Sequence, residues 1–173
     1  MNKPFRPQVG KNVYIAKTAV VEGRVTLGDQ SSIWPGAVLR ADINRIVVGR
    51  YSNIQDLSVL HVEHNRPCLV GEYVVVGHAA ILHACAIKDG SLVGMGSIVL
   101  DGATIGSGTL LGAGSLVPPG ERLKTGSLYF GRPARWIRKL TKKEIRGLID
   151  WAKRYVRYAE EHRAGKFESF QVL

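Results

Sequence analysis

The sequence predicts an all-β solenoid, a parallel β-helix of hexapeptide repeats that carries one C-terminal α-helix. Three observations predict it: an aliphatic residue at every sixth position, twenty glycines against seven prolines, and one late stretch of helical periodicity. The chain of 173 residues is long enough for one domain with a sizeable core and too short to need two.

The repeat carries most of the argument. Val9-Gly10, Leu27-Gly28, Val48-Gly49, Val70-Gly71, Val76-Gly77, Val93-Gly94, Ile105-Gly106 and Leu111-Gly112 mark it, and Ile15, Val21, Ile33, Leu39, Ile54, Leu60, Leu82, Ile87, Val99, Val117 and Leu123 keep the same beat, nineteen units in all. A helix spaces its apolar residues by three and four and a half-buried strand by two, so a period of six suits neither as a long run. It suits a solenoid, in which each unit is one short strand and a turn, with the aliphatic side chain aimed at the axis. Three units make a triangular coil, about six coils here, and each coil pairs its backbone with those above and below.

A solenoid ends in an unpaired edge that must be covered. Thr141 followed by Glu144 forms a capping-box pattern, and Ile145, Leu148, Ala152, Tyr155 and Ala159 recur at helical spacing. The spacing predicts one amphipathic helix, roughly 141 to 162, packed back along the coils, with Trp151 and Tyr158 as packing residues. The expected division is a β-helix domain over 1–134 and a C-terminal helical segment over 135–173.

Composition narrows the function classes. Apolar residues at 45% and charged residues at 22% are ordinary for a globular chain. No apolar run is long enough to span a membrane and Met1 to Gly10 has no apolar signal core, so the expectation is a cytoplasmic protein without membrane partners. The net charge of +10 is concentrated from Arg132 onward, where twelve Lys and Arg face five Asp and Glu, a net of +7 that leaves +3 for the rest. Without a nucleic-acid-binding signature this reads as a solvated helix face, with no nucleic acid as partner. Cys68 and Cys85 lack a CxxC spacing and read as ordinary thiols.

Breaks in a regular repeat are informative, because irregular backbone must be held by something. Leu39 and Val48 are nine residues apart, Leu60 and Val70 ten, and Leu82 and Ile87 five. Four of the five histidines, His61, His64, His78 and His83, lie around these breaks. His61 and His83 each follow the aliphatic residue of their unit and sit one coil apart, so they should stack on one face at about 5 Å in backbone spacing. His78 falls on the preceding face and could reach a neighbour's pair in a threefold assembly. Three imidazoles with a fourth position open is the arrangement of a catalytic zinc site.

With Arg40-Ala-Asp42, Ser52-Asn53-Ile-Gln55-Asp56, Leu60-His61, Val76-Gly77-His78, Leu82-His83 and Val93-Gly94-Met95-Gly96 in place, the sequence resembles the gamma-class carbonic anhydrase family over nearly its whole length, especially the short-loop bacterial and archaeal relatives. The resemblance implies a left-handed coil and a homotrimer. It also implies a metal held between subunits by His61, His83 and a neighbour's His78, with zinc as cofactor and iron or cobalt as substitutes. It further implies reversible hydration of carbon dioxide to bicarbonate by a metal-bound hydroxide. Arg40, Asp42 and Asp56 match interface ion-pair positions, Gln55 and Asn53 match residues beside the reacting water and substrate, and Tyr155 matches a helix tyrosine that reaches the pocket. The chain departs from the best-studied members in having Ile43 after Asp42 and a short loop from Val62 to Leu69, where Glu63 and His64 are the titratable candidates besides Arg66. His64 is a candidate proton relay, since an unperturbed imidazole titrates near about 6.5. Two other functions remain in view: a hexapeptide acyltransferase using a coenzyme A thioester, and a non-catalytic metal-binding accessory protein.

Overall fold

The computed structural model describes residues 4–167; residues 1–3 and 168–173, at the ends of the two expected divisions, lie outside the described residues. Two-residue strands such as Ile98–Val99 and Leu110–Leu111 alternate with turns. Each strand pairs in parallel with the strand one coil on: Leu92 with Leu110, Ile98 with Leu116, Thr104 with Arg122. This is a parallel β-solenoid consistent with a left-handed β-helix.

Three faces result. Face one carries the outward residues Gln8, Thr26, Val47, Leu69, Ala86, Thr104 and Arg122. Face two carries Tyr14, Ser32, Asn53, Val75, Leu92, Leu110 and Leu128. Face three carries Val20, Val38, Val59, Ile81, Ile98 and Leu116. The axis-facing partners, Leu27, Ile33, Leu39, Ile54, Leu60, Leu82, Ile87, Ile105 and Leu111 among them, are fully buried. Val9 and Ile15, on the expected beat, are exposed because the first coil has no coil beyond it.

The three breaks take distinct forms. The first is absorbed by the long strand Val38–Val48, whose register against Val20–Leu27 shifts so that Ala41 pairs with Gly23 and Arg45 with Arg24. Residues 42–44 are the excess, and Asn44 uses its amide to reach the second break, donating to Glu63 O at 3.1 Å and His64 O at 2.8 Å. The second break is a tight turn in which Glu63 and Arg66 exchange backbone hydrogen bonds at 3.0 and 3.1 Å. The third closes its short unit through Ala84, which takes a left-handed φ of 46°.

The C-terminal edge is covered differently from the expectation. Strand Ser127–Gly131 turns back into Ala134–Lys139, which pairs with it antiparallel and shields the last coil. Phe130 belongs to the same closure; a Cβ on Gly112 would lie 2.3 Å from its ring. The helix spans Lys142–Arg163, capped by Thr141, whose hydroxyl accepts from the Glu144 N–H while Glu144 accepts the Thr141 N–H at 2.8 Å. It lies against strands Tyr14–Ile15, Ser32–Ile33 and Val75–Val76 on face two, with Leu148, Ala152 and Ala159 buried beneath it. Trp151 is exposed, not packed, because it falls off that apolar stripe. No helix among the described residues is long and apolar enough to cross a membrane.

Candidate metal centre

The solenoid turns sequence distance into contact by stacking coils. Leu60 pairs with Leu82 and His61 with His83, so the two rings lie one above the other, centroids 5.1 Å apart. His61 Nδ1 and His83 Nε2 face each other at 3.1 Å. Both rings sit at the corner between faces three and one. His78 sits at the corner between faces two and three, the opposite edge of face three.

Each of the three imidazoles meets a carboxylate on a neighbouring coil. His61 Nε2 is 3.1 Å from Asp42 Oδ1, and His78 Nδ1 is 2.8 Å from Asp56 Oδ2. His83 Nδ1 contacts Asp101 Oδ1. Asp42 also pairs with Arg40 and accepts the Ile43 N–H at 3.0 Å. Desolvation alone would raise the Asp42 pKa, but the hydrogen bonds from Arg40, His61 and Ile43 outweigh it and hold the carboxyl at about 2.

Each carboxylate can accept a hydrogen from the ring nitrogen it faces. A neutral imidazole that donates from one nitrogen presents a lone pair on the other. With Asp42 taking the hydrogen on His61 Nε2 and Asp101 that on His83 Nδ1, the two facing nitrogens both present lone pairs. Such a pair at 3.1 Å repels unless a cation lies against it. Two nitrogens each about 2.0–2.1 Å from a tetrahedral zinc lie roughly 3.3 Å apart, so the pair fits one metal. Among the described residues of a single chain, no group of three His, Cys, Asp or Glu side chains converges as a metal site. His78 does not join the pair within its own chain.

Left-handed backbone also occurs at these places. Leu57, Ala79 and Ala84, which follow Asp56, His78 and His83, take φ of 61°, 56° and 46°. At equivalent corners of other coils Gly36, Gly96, Gly102, Gly114 and Gly120 occupy that region. A non-glycine residue there costs about 1–2 kcal/mol, and Asn12, Gln30, Tyr51 and Tyr73 take the same region at the corner between faces one and two.

The other expected residues divide. Asn53 and Gln55 are buried, and Gln55 Nε2 donates to Asn53 Oδ1 at 3.0 Å. Gln55 N–H donates to Val76 O and Ala79 N–H to Asp56 O, so Gln55 and Asp56 stack on Gly77 and His78. The Asn53 amide nitrogen has no partner among the described residues. Tyr155 lines a cavity of about 330 Å³ together with Trp34, Asp56, His78, Glu161 and His162. Burial, and then the nearby Asp56 charge, push its phenol pKa up, so it stays a hydrogen-bond donor. His64 lies exposed on the second-break turn, apart from the His61 and His83 rings in its hydrogen bonding.

Three participants are absent from the sequence expectations. Asp101 sits eighteen residues after His83, one coil on, which is the signal that could have found it. Trp34 fills a position that Ala16, Gly77, Gly94 and Gly112 occupy on other coils, and Tyr155 packs edge-on against it at 5.3 Å. His162, the fifth histidine, lies edge-on to Trp34 at 5.1 Å.

A family model described as bacterial transferase hexapeptide (six repeats) matches residues 6–41. A protein of Methanocaldococcus jannaschii described as "Probable carbonic anhydrase" is 53% identical over 152 residues, covering 88% of this chain and 96% of that one. Gamma carbonic anhydrase 2, mitochondrial, of Arabidopsis thaliana is 41% identical over 173 residues, covering 96% of this chain and 62% of that longer one. Among solved structures, a hexapeptide transferase family protein from Anaplasma phagocytophilum superposes with a TM-score of 0.85 at 42% identity, covering 89% of this chain and 91% of that one. With identity of this extent spanning the histidine-bearing coils, the chain belongs to the gamma-class carbonic anhydrase-like family of hexapeptide-repeat proteins.

Proposed function

We propose that the protein is a metal-dependent carbonic anhydrase that works as a homotrimer. Each interface holds one divalent cation with His61 and His83 of one chain and His78 of the next. The observation that carries this is the approach of His61 Nδ1 to His83 Nε2 at 3.1 Å, each ring with a carboxylate at its other nitrogen, with a third carboxylate-paired imidazole on the opposite edge of the same face. In a closed ring each chain's one edge meets the next chain's other edge, so the two half-sites meet three times. Face three supports the same assembly. Val20, Val38, Val59, Ile81, Ile98 and Leu116 form a continuous aliphatic ladder along it, and the helix covers face two instead. An apolar stripe of this kind suits contact with another protein surface.

An all-imidazole donor set with an open position suits zinc and accepts iron or cobalt. A cation there supplies the Lewis acidity that makes water nucleophilic near neutral pH, as in carbonic anhydrases generally. The chain supplies the rest. Asp42, Asp56 and Asp101 accept from the outer ring nitrogens and so aim the inner ones. Gln55, held by Asn53, keeps a second N–H and its carbonyl for the water and the developing bicarbonate. Tyr155 offers its phenol hydrogen at the cavity beside His78. Arg40 and Asp42 stand beside the His61 edge as a pair suited to an ionic contact with the adjoining chain. His64, exposed on its turn, is the proposed proton relay. The substrate is carbon dioxide or bicarbonate, and the proposed setting is the cytoplasm.

A coenzyme A-dependent acyltransferase is the second reading, favoured by the transferase descriptions of the family model and the Anaplasma relative. That chemistry needs one imidazole base and gives no reason for three carboxylate-paired ones. Stopped-flow hydration of carbon dioxide by metal-loaded protein tests the proposal. The wild type is expected to turn over and His83→Ala is not; equal rates reject it. Metal binding with equal, negligible rates identifies an accessory protein, and heat of binding with acetyl-coenzyme A supports the acyltransferase.

A further inference from the structure

We propose that Asp101 is a positioning residue for the metal centre: its carboxylate holds the Nδ1 hydrogen of His83 and thereby turns the Nε2 lone pair toward His61. This rests on the metal-centre reading above and assigns a role to a residue that no motif in the chain marks.

The geometry is specific. Asp101 lies on the coil after His83, and Asp101 Oδ1 contacts His83 Nδ1. Among the described residues, the side chain of Asp101 has His83 as its ion-pair partner and no Lys or Arg. That separates it from Asp42, which also binds Arg40 and the Ile43 N–H. The backbone around Asp101 is held without the carboxylate: Asp101 O accepts the Gly120 N–H at 2.8 Å, and the Gly102 N–H donates to Ala84 O at 2.8 Å. Replacing the side chain leaves those bonds in place, so the turn does not explain the residue.

The physical consequence concerns the choice of nitrogen. A free imidazole places its proton on either nitrogen, and an isolated ring turns about its side-chain bonds. With Asp101 present, the Nδ1 tautomer is selected and the ring plane fixed, and Nε2 is left 3.1 Å from His61 Nδ1. Without it, His83 can carry its hydrogen on Nε2 and donate it to His61 Nδ1, forming a hydrogen bond in the place where the cation should sit. Carboxylates that orient ligating histidines in this way are worth about 10- to 100-fold in metal affinity.

The test compares wild type, Asp101→Ala and Asp101→Asn as full-length assemblies. Zinc affinity is read by competition with a chromophoric chelator, cobalt(II) by its visible absorption, and metal-free stability by thermal unfolding. Asp101→Ala is expected to bind zinc about 10- to 100-fold more weakly, with an altered cobalt spectrum and an unchanged metal-free Tm. Asp101→Asn, whose side-chain carbonyl still accepts from Nδ1–H, is expected to bind more tightly than the Ala variant. Wild-type affinity in Asp101→Ala overturns the proposal while leaving the metal centre standing. A fall in affinity matched in both variants by a fall in metal-free Tm overturns it too, as a purely structural role. Failure of the wild type to bind either metal removes the reading on which the proposal rests.

Discussion

Ile81→Glu places a carboxylate at the middle of the aliphatic ladder on face three, directly between Val59 and Ile98. In the single chain Ile81 keeps 40% of its surface exposed. Complete burial of an isoleucine is worth about 1.5–3 kcal/mol, so the exposed fraction stands for roughly 0.6–1.2 kcal/mol per chain and about 2–4 kcal/mol over a trimer. At ~1.4 kcal/mol per tenfold, loss of that contact alone weakens the assembly by roughly 30- to 700-fold. Desolvating three carboxylates adds several kcal/mol for each ion, so Ile81→Glu is expected to be monomeric at micromolar concentration. Sedimentation velocity over a dilution series reads the result, with Thr104→Glu on face one as the control that stays assembled. Identical sedimentation of Ile81→Glu and wild type refutes the assignment of this face, and a monomeric wild type refutes the trimer.

Three further outcomes follow from particular contacts. Gly77→Ala sets a Cβ 2.7 Å from the Met95 N, beside His78, and is expected to cost about 1–3 kcal/mol in thermal unfolding and to lower metal content. Gln55→Leu removes a proposed donor to the reacting centre without touching a ligand. Hydration kcat/KM is expected to fall about 100-fold while elemental analysis finds full metal occupancy; unchanged rates remove Gln55 from the mechanism. The Arg138 pair and the Thr141 cap hold the Glu144 carboxyl at about 2, below its ordinary 4.5. A lowered folded pKa means a contribution present above the ordinary value and lost as pH falls through that window. Far-UV circular dichroism between those two pH values should therefore show a larger stability loss in wild type than in Glu144→Gln.

The coil was legible because its inward position is chemically monotonous: Leu27, Ile33, Leu39 and Ile54 announce the same environment at a fixed interval. The stacking of His61 on His83 followed from counting units across the breaks. The lock between those breaks was not legible, since nothing in Asn44 or in the Glu63–His64 turn foretells a contact made across a register shift. The terminal hairpin escaped notice because Tyr129 keeps the sixfold beat, while Ala134–Lys139, the strand that reverses it, carries no periodicity of its own. Asp101 reads as half of an ordinary Asp-Gly turn until it is placed eighteen residues beyond His83. Trp34 follows the strand Ser32–Ile33 and His162 lies on a helix far off in sequence, and only the docking of that helix on face two joins them in one cavity.

The sharing of one cation between chains is tested most directly by complementation. A chain with His78→Ala keeps the His61 and His83 pair, and a chain with both His61→Ala and His83→Ala keeps His78. Neither forms an intact site by itself. Unfolded together in equal amounts and refolded, they assemble at random, and about one quarter of interfaces join an intact pair to an intact His78. If the cation is shared between chains, the mixture recovers about one quarter of the wild-type metal content and hydration rate, where each variant alone has neither. A mixture as inactive and metal-free as its components, in trimers verified as mixed, contradicts the sharing.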